Sequence, residues 1–107
     1  MNIQGQRVEV TDGGNFRIHI RELFKSAGMI YGFPNNVPGV GINTEILEKA
    51  KQDDRWIIIR IANSTNEYVI SCSQIDIIAK KYNSYWTKPG KPELVVIPLN
   101  ELKPLRE

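Results

Sequence analysis

A chain of 107 residues with 41 % apolar and 24 % charged side chains has the size and composition of one soluble globular unit, far from the charge-rich, apolar-poor character of disordered segments. Fourteen Lys and Arg stand against twelve Asp and Glu, a net charge of +2, which is too small to imply nucleic acid, anionic lipid or an acidic substrate by itself. The lone cysteine, Cys72, excludes an internal disulfide, and together with a lone histidine it excludes a Cys/His-rich structural zinc site.

The amino terminus, MNIQGQRVEV, has no charged segment leading into an apolar run. No apolar stretch approaches the ~20 residues that cross a bilayer, so no membrane partner and a reducing, cytoplasmic location are expected. Val8 and Val10 then alternate with Arg7, Glu9 and Thr11, and Phe16, Ile18 and Ile20 alternate with Arg17, His19 and Arg21. With Asp12-Gly13-Gly14 at the centre of the connection, this pattern predicts a β-hairpin with one apolar face. Leu23, Phe24 and Lys25 suggest a short helix stopped at Gly28. Gly32, Pro34, Pro38, Gly39 and Gly41 punctuate residues 29–42, which read as an ordered loop.

Asn43 or Thr44 is placed to cap a helix over 45–53, with Ile46, Leu47 and Ala50 on its buried face. Residues 56–62 are apolar on both faces, as a central strand is, and the turn cluster 63–66 sends the chain back through 68–70. Ser71-Cys72-Ser73-Gln74 matches a capping box and predicts a helix running to Tyr82, burying Ile75, Ile78 and Ala79. Lys80 and Lys81 fall at its carboxyl end, where the helix dipole favours cations. Pro89, Gly90 and Pro92 interrupt regular structure before a last strand over 94–99, in which Pro98 limits pairing.

The expected fold is therefore α+β, one domain over 1–107, with an antiparallel or mixed sheet of about five strands and two or three helices mainly on one face. Its expected core holds Val8, Val10, Ile18, Ile20, Leu47, Ile57, Ile59, Ile70, Ile75, Ile78, Val96 and Ile97. The strands over 56–61 and from Leu94 are the candidates for an exposed edge that would support a homodimer.

Signatures of catalysis are sparse. His19 is the only imidazole and reads as a solvated strand residue without a partnered nucleophile. Gly39-Val40-Gly41 precedes a helix but carries neither the phosphate-loop nor the dinucleotide pattern. Asp53, Asp54 and Glu67 could gather a divalent cation in principle, but paired acids between elements are commonly a solvated connection. Cys72 lacks a partner base and reads as a small buried residue. Neither a cofactor nor a metal is expected.

One segment stands out: 77–92 contains no acidic residue yet holds Lys80, Lys81, Lys88 and Lys91 with Tyr82, Tyr85 and Trp86. Lysines neutralise phosphates and aromatic rings stack on exposed bases, so a nucleic-acid-binding accessory protein is expected, with Lys80, Lys81, Tyr85, Trp86, Lys88 and Lys91 as contacts. Arg17, His19 and Arg21 share one face of the hairpin, and Arg17 and Arg21 would extend the patch if the fold brings hairpin and loop together. The alternative is a non-enzymatic interaction module (an inhibitor, a complex subunit or a homo-oligomer) anchored by Tyr82, Tyr85 and Trp86 with Tyr31 and Phe33.

Overall fold

The computed structural model of the chain describes residues 1–3 and 5–105. In chain order the elements are β1 (Asn2–Ile3), β2 (Gln6–Val10), β3 (Phe16–Ile20), α1 (Ala27–Tyr31), β4 (Gly39–Asn43), α2 (Thr44–Gln52), β5 (Ile57–Ile61), β6 (Glu67–Ile70), α3 (Cys72–Tyr82), β7 (Tyr85–Trp86), β8 (Leu94–Pro98) and β9 (Lys103–Pro104), with short 3-10 turns at Pro34–Asn36 and Leu99–Glu101. The domain is α+β, built on a mixed sheet in the order β1-β2-β3-β5-β6-β9 and a second, antiparallel sheet in the order β4-β8-β7.

Two hairpins make the larger sheet, and they join through a parallel pair. β2 and β3 pair around the expected turn, where Thr11 N–H donates to the Asn15 carbonyl at 2.8 Å and Gly14 adopts φ 83°, a conformation that favours glycine. β5 and β6 are antiparallel, and β3 runs parallel to β5 in the register Ile18↔Ile59. Alternation then sorts the side chains: Val8, Ile18, Ile57, Ile59 and Ile70 enter the core, while Arg7, Glu9, Arg17, His19, Arg60 and Glu67 share the opposite face. A parallel pair needs a long crossover, and α1, β4 and α2 all lie within it.

Both longer helices start as the capping residues dictate. Asn43 Oδ1 accepts from Glu45 N–H at 2.8 Å to open α2, and Ser71 Oγ accepts from Gln74 N–H at 3.2 Å to open α3. Ile46, Leu47 and Ala50 of α2 and Ile75, Ile78 and Ala79 of α3 are buried as their spacing demands. Lys51 Nζ of α2 lies 2.9 Å from Asp76 of α3 and ties the two helices together. The Asp76 hydrogen bond holds the Lys51 ammonium above its ordinary pKa.

Several expectations are corrected. The short helix is not at Leu23–Lys25 ahead of a Gly28 stop: α1 contains Gly28 and ends at Gly32, whose φ of 72° is the left-handed stop. Residues 29–42 are not simply a loop, because 39–43 form β4, paired with β8 along its length. Val10 stands 53 % exposed at the end of its hairpin and is not core. The proposed free edges do not exist either: β5 lies between β3 and β6, and β8 lies between β4 and β7. The open flank of β4 is covered from within the chain. Phe24 and Gly39 exchange backbone bonds at 2.8 and 2.9 Å, and the Gln6 amide donates to the Gly41 carbonyl at 2.9 Å while accepting from Asn43 N–H at 3.0 Å. The Gln6 side chain thus mimics a neighbouring strand and links the two sheets.

Candidate nucleic-acid interface

Parallel pairing sets the site. Because β3 and β5 run the same way, their carboxyl ends lie side by side, which sets Arg60, near the end of β5, and Arg21, just past the end of β3, at one end of the sheet. Crevices outside the carboxyl ends of adjacent parallel strands are common ligand positions, since the chain diverges there. An open groove of about 1160 Å³ occupies this place, bounded by the end of β3, the turn after β5, the β1–β2 corner and the segment from β7 to β8.

Four cations, Arg7, Arg21, Arg60 and Lys91, border the groove against two carboxylates, Glu9 and Glu22. Arg7 is committed to Glu9 at 3.1 Å. Among the described residues, Arg21, Arg60 and Lys91 enter no ion pair, and all three are exposed. His19 Nε2 approaches Glu9 Oε1 to 3.1 Å without meeting hydrogen-bond geometry. Partial desolvation would raise the Glu9 carboxyl; the charges of His19, Arg7 and Arg17 outweigh it and hold Glu9 below the usual carboxylate value.

Trp86 is the aromatic wall. It is half-buried on β7, opposite Leu94, and packs against the small cluster formed by Ala27, Phe33 and Val96 while also bordering the groove. Gly41 and Leu94 border the groove as well, and a Cβ added at Gly41 would stand 3.0 Å from Leu94 Cδ1. The Leu94 side chain fills the space beside position 41, and glycine there leaves room for it.

The sequence-derived contacts divide. Trp86, Lys91 and Arg21 come together in the groove, joining hairpin and loop. Lys80 and Lys81 are exposed in the last turn of α3, Tyr85 is 40 % exposed on β7 and Lys88 is exposed in the loop, and none of these four borders the groove. Arg17 offers no free charge. Its Nε donates to Glu67 Oε2 at 2.6 Å and its Nη1 lies 3.6 Å from Glu9, contacts that push the guanidinium pKa further up, with the Glu67 bond the largest cause.

Arg7 and Arg60 were missed. The period-2 alternation that groups Arg17, His19 and Arg21 also sets Arg7 directly opposite His19, a signal present in the sequence, whereas Arg60 joins only through the parallel register His19↔Arg60. Tyr82 and Phe33 prove structural: their rings meet edge to face at 5.0 Å, and Tyr31 adds a tilted contact with Phe33 at 5.7 Å.

The remaining candidates are dispersed. Asp53 is 3.3 Å from Arg55 and Glu67 is held by Arg17, and among the described residues no group of three His, Cys, Asp or Glu side chains stands together. Cys72 opens α3 half-buried, with Sγ 3.4 Å from the Arg55 carbonyl. Desolvation pushes its thiol pKa up despite Lys51 nearby, against the lowering that a helix amino end alone would give. No helix among the described residues is long and apolar enough to cross a membrane.

Comparison with known proteins gave no matching protein-family model, no matching curated protein and no matching solved structure.

Proposed function

We propose that the chain is a small nucleic-acid-binding accessory domain that works without a cofactor. The observation that carries this reading is the groove whose lining holds Arg21, Arg60 and Lys91, free of ion pairs among the described residues, together with Trp86. Unpaired cations supply phosphate neutralisation, and an aromatic side chain supplies a surface for a base. The binding surface therefore shifts from the lysine run itself towards the arginines at the strand ends.

Fluorescence anisotropy with labelled DNA and RNA, single and double stranded, tests it. Binding at low salt that weakens steeply as salt rises is the expected result; micromolar protein that binds none of them ends the reading.

The interaction-module reading rests on a different surface. Met29 and Ile30 of α1 are 78 % and 59 % exposed, an apolar pair at the tip of a short helix. A partner bound there would respond little to salt, which separates the two readings.

A further inference from the structure

We propose that the occupant of the groove is a single strand rather than a duplex, with one unpaired base against Trp86 and its backbone across Arg21, Arg60 and Lys91. The inference rests on the nucleic-acid reading above and narrows it to a substrate class.

Shape is the first argument. Proteins that read a duplex push a helix or a β-ribbon into its major groove, so their cations sit on a projecting element. Here the unpaired cations border a concavity bounded by the end of β3, the turn after β5, the β1–β2 corner and the loop before β8, not a projecting element. The one helix end that carries adjacent cations, Lys80 and Lys81 on α3, lies outside the groove.

Aromatic chemistry is the second. Stacking needs a base whose face is open, which a paired base inside a duplex does not offer. Trp86 is fixed by its packing on Ala27, Phe33 and Val96, so it presents its surface with little entropy left to lose. A wall of fixed indole offers a flat ring a surface to stack on.

Charge spacing is the third. Arg21 follows β3 and Arg60 lies near the end of the adjacent parallel β5, and Lys91 comes from the β7–β8 loop, so the cations bound the groove from more than one side. A flexible backbone can follow such an arrangement, whereas the regular phosphate rows of a rigid duplex cannot close around it.

The test uses the full chain with Trp56→Phe, so that Trp86 is the only indole, and oligonucleotides of about 12 nucleotides, a length within the usual span of single-strand sites. A thymidine strand, a uridine strand and a DNA duplex of equal length are titrated by anisotropy and by Trp86 fluorescence. The expected result is tighter binding of a single strand than of duplex, with Trp86 quenched and a log–log salt slope near about −2, from three phosphate contacts at ~0.7 each. Arg60→Glu changes an exposed residue and should weaken single-strand binding about tenfold or more, with the circular dichroism of the wild type retained. Preferential binding of duplex overturns this inference and leaves the broader reading standing. Single-strand binding that survives Arg60→Glu without Trp86 quenching but is lost on Lys80→Glu with Lys81→Glu also overturns it, moving the strand to the end of α3. Absence of binding to every oligonucleotide overturns both.

Discussion

The side chains of β8 divide between two unlike clusters. Val95 and Ile97 enter the main core, where Phe16 is the only aromatic among the buried members and the rest are Ile, Val, Leu and Ala from both sheets, α2, α3 and the segment before β9. Val96 points the other way, into a small group with Ala27 and Phe33 that Phe24, Tyr31, Val37, Tyr82 and Trp86 close over. The first cluster is assembled from regular elements whose alternation and helical spacing bury aliphatic faces. The second is assembled largely from the Pro/Gly segment, where rings rather than period fill the space. Stability should therefore depend mostly on the first, and the shape of the groove, through Trp86, mostly on the second.

The sharpest way to break this division is to open a cavity in the aliphatic core. Ile59 is fully buried between Ile18 and Tyr68 on the central strands, and Ile59→Ala should cost about 2–5 kcal/mol, read as a fall in the denaturant midpoint. An unchanged midpoint would mean that the aliphatic cluster does not govern stability. A smaller, differently placed effect is expected from Gly28→Ala. The new Cβ would fall 2.3 Å from the backbone carbon of Asn36, and since backbone yields less readily than a side-chain tip, roughly 1–3 kcal/mol is expected. Its signature should include a shift of Trp86 emission in the Trp56→Phe background, because α1 supports the aromatic cluster. Lost stability with unshifted emission would uncouple the two.

How much of this was readable beforehand follows the same division. The hairpin at 7–21, the apolar central strand, both capped helices and nearly all of the expected core follow from period and capping, because local rules decide them. β4 was hidden because Gly39 and Gly41 weaken any strand signal. Glycine is needed there for contact instead: a Cβ on Gly39 would lie 2.4 Å from Val96 Cγ1 and 2.9 Å from Ala27 Cβ. Tyr82 and Phe33 were offered as interface anchors because composition alone does not tell an aromatic that meets a partner from one that meets its own chain. In the groove, Trp86, Lys91 and Arg21 were named, but that one groove joins the hairpin to the β7–β8 segment, and that Arg60 stands beside His19 through the parallel pairing of β3 with β5 across some forty residues of sequence, no local pattern encodes.

On the helical side of the core, Cys72 opens α3 half-buried. Desolvation of Cys72 outweighs the pull of Lys51, and nearby Asp76, Asp54 and Glu48 add to the rise in its thiol pKa. Alkylation by iodoacetamide at neutral pH should be slower in the native protein than in the unfolded chain, with the native rate climbing only at alkaline pH. A native thiol that reacts as fast as the unfolded one would show that the first turn of α3 opens readily, and that the packing of α2 on α3 is looser than Lys51 and Asp76 suggest.

The smallest effect is expected on the exposed face of the larger sheet, where neither cluster reaches. Glu9 touches Arg7, Arg17 and His19, and their charges hold its carboxyl below the usual value in the folded state. A depressed folded pKa means that the unfolded chain takes up the proton first as pH falls. The contribution is therefore fully present above the unfolded value, about pH 4.3, and is lost as pH drops through the folded one. Glu9→Gln should leave the aliphatic core intact, lower stability slightly at neutral pH, and flatten the dependence of stability on pH below about pH 5. Urea midpoints of the two proteins should converge in acid and separate towards neutrality. If instead the midpoints stay equally far apart at every pH, the cost of Glu9→Gln lies in lost packing on the strand, and the carboxylate is not what these cations stabilise.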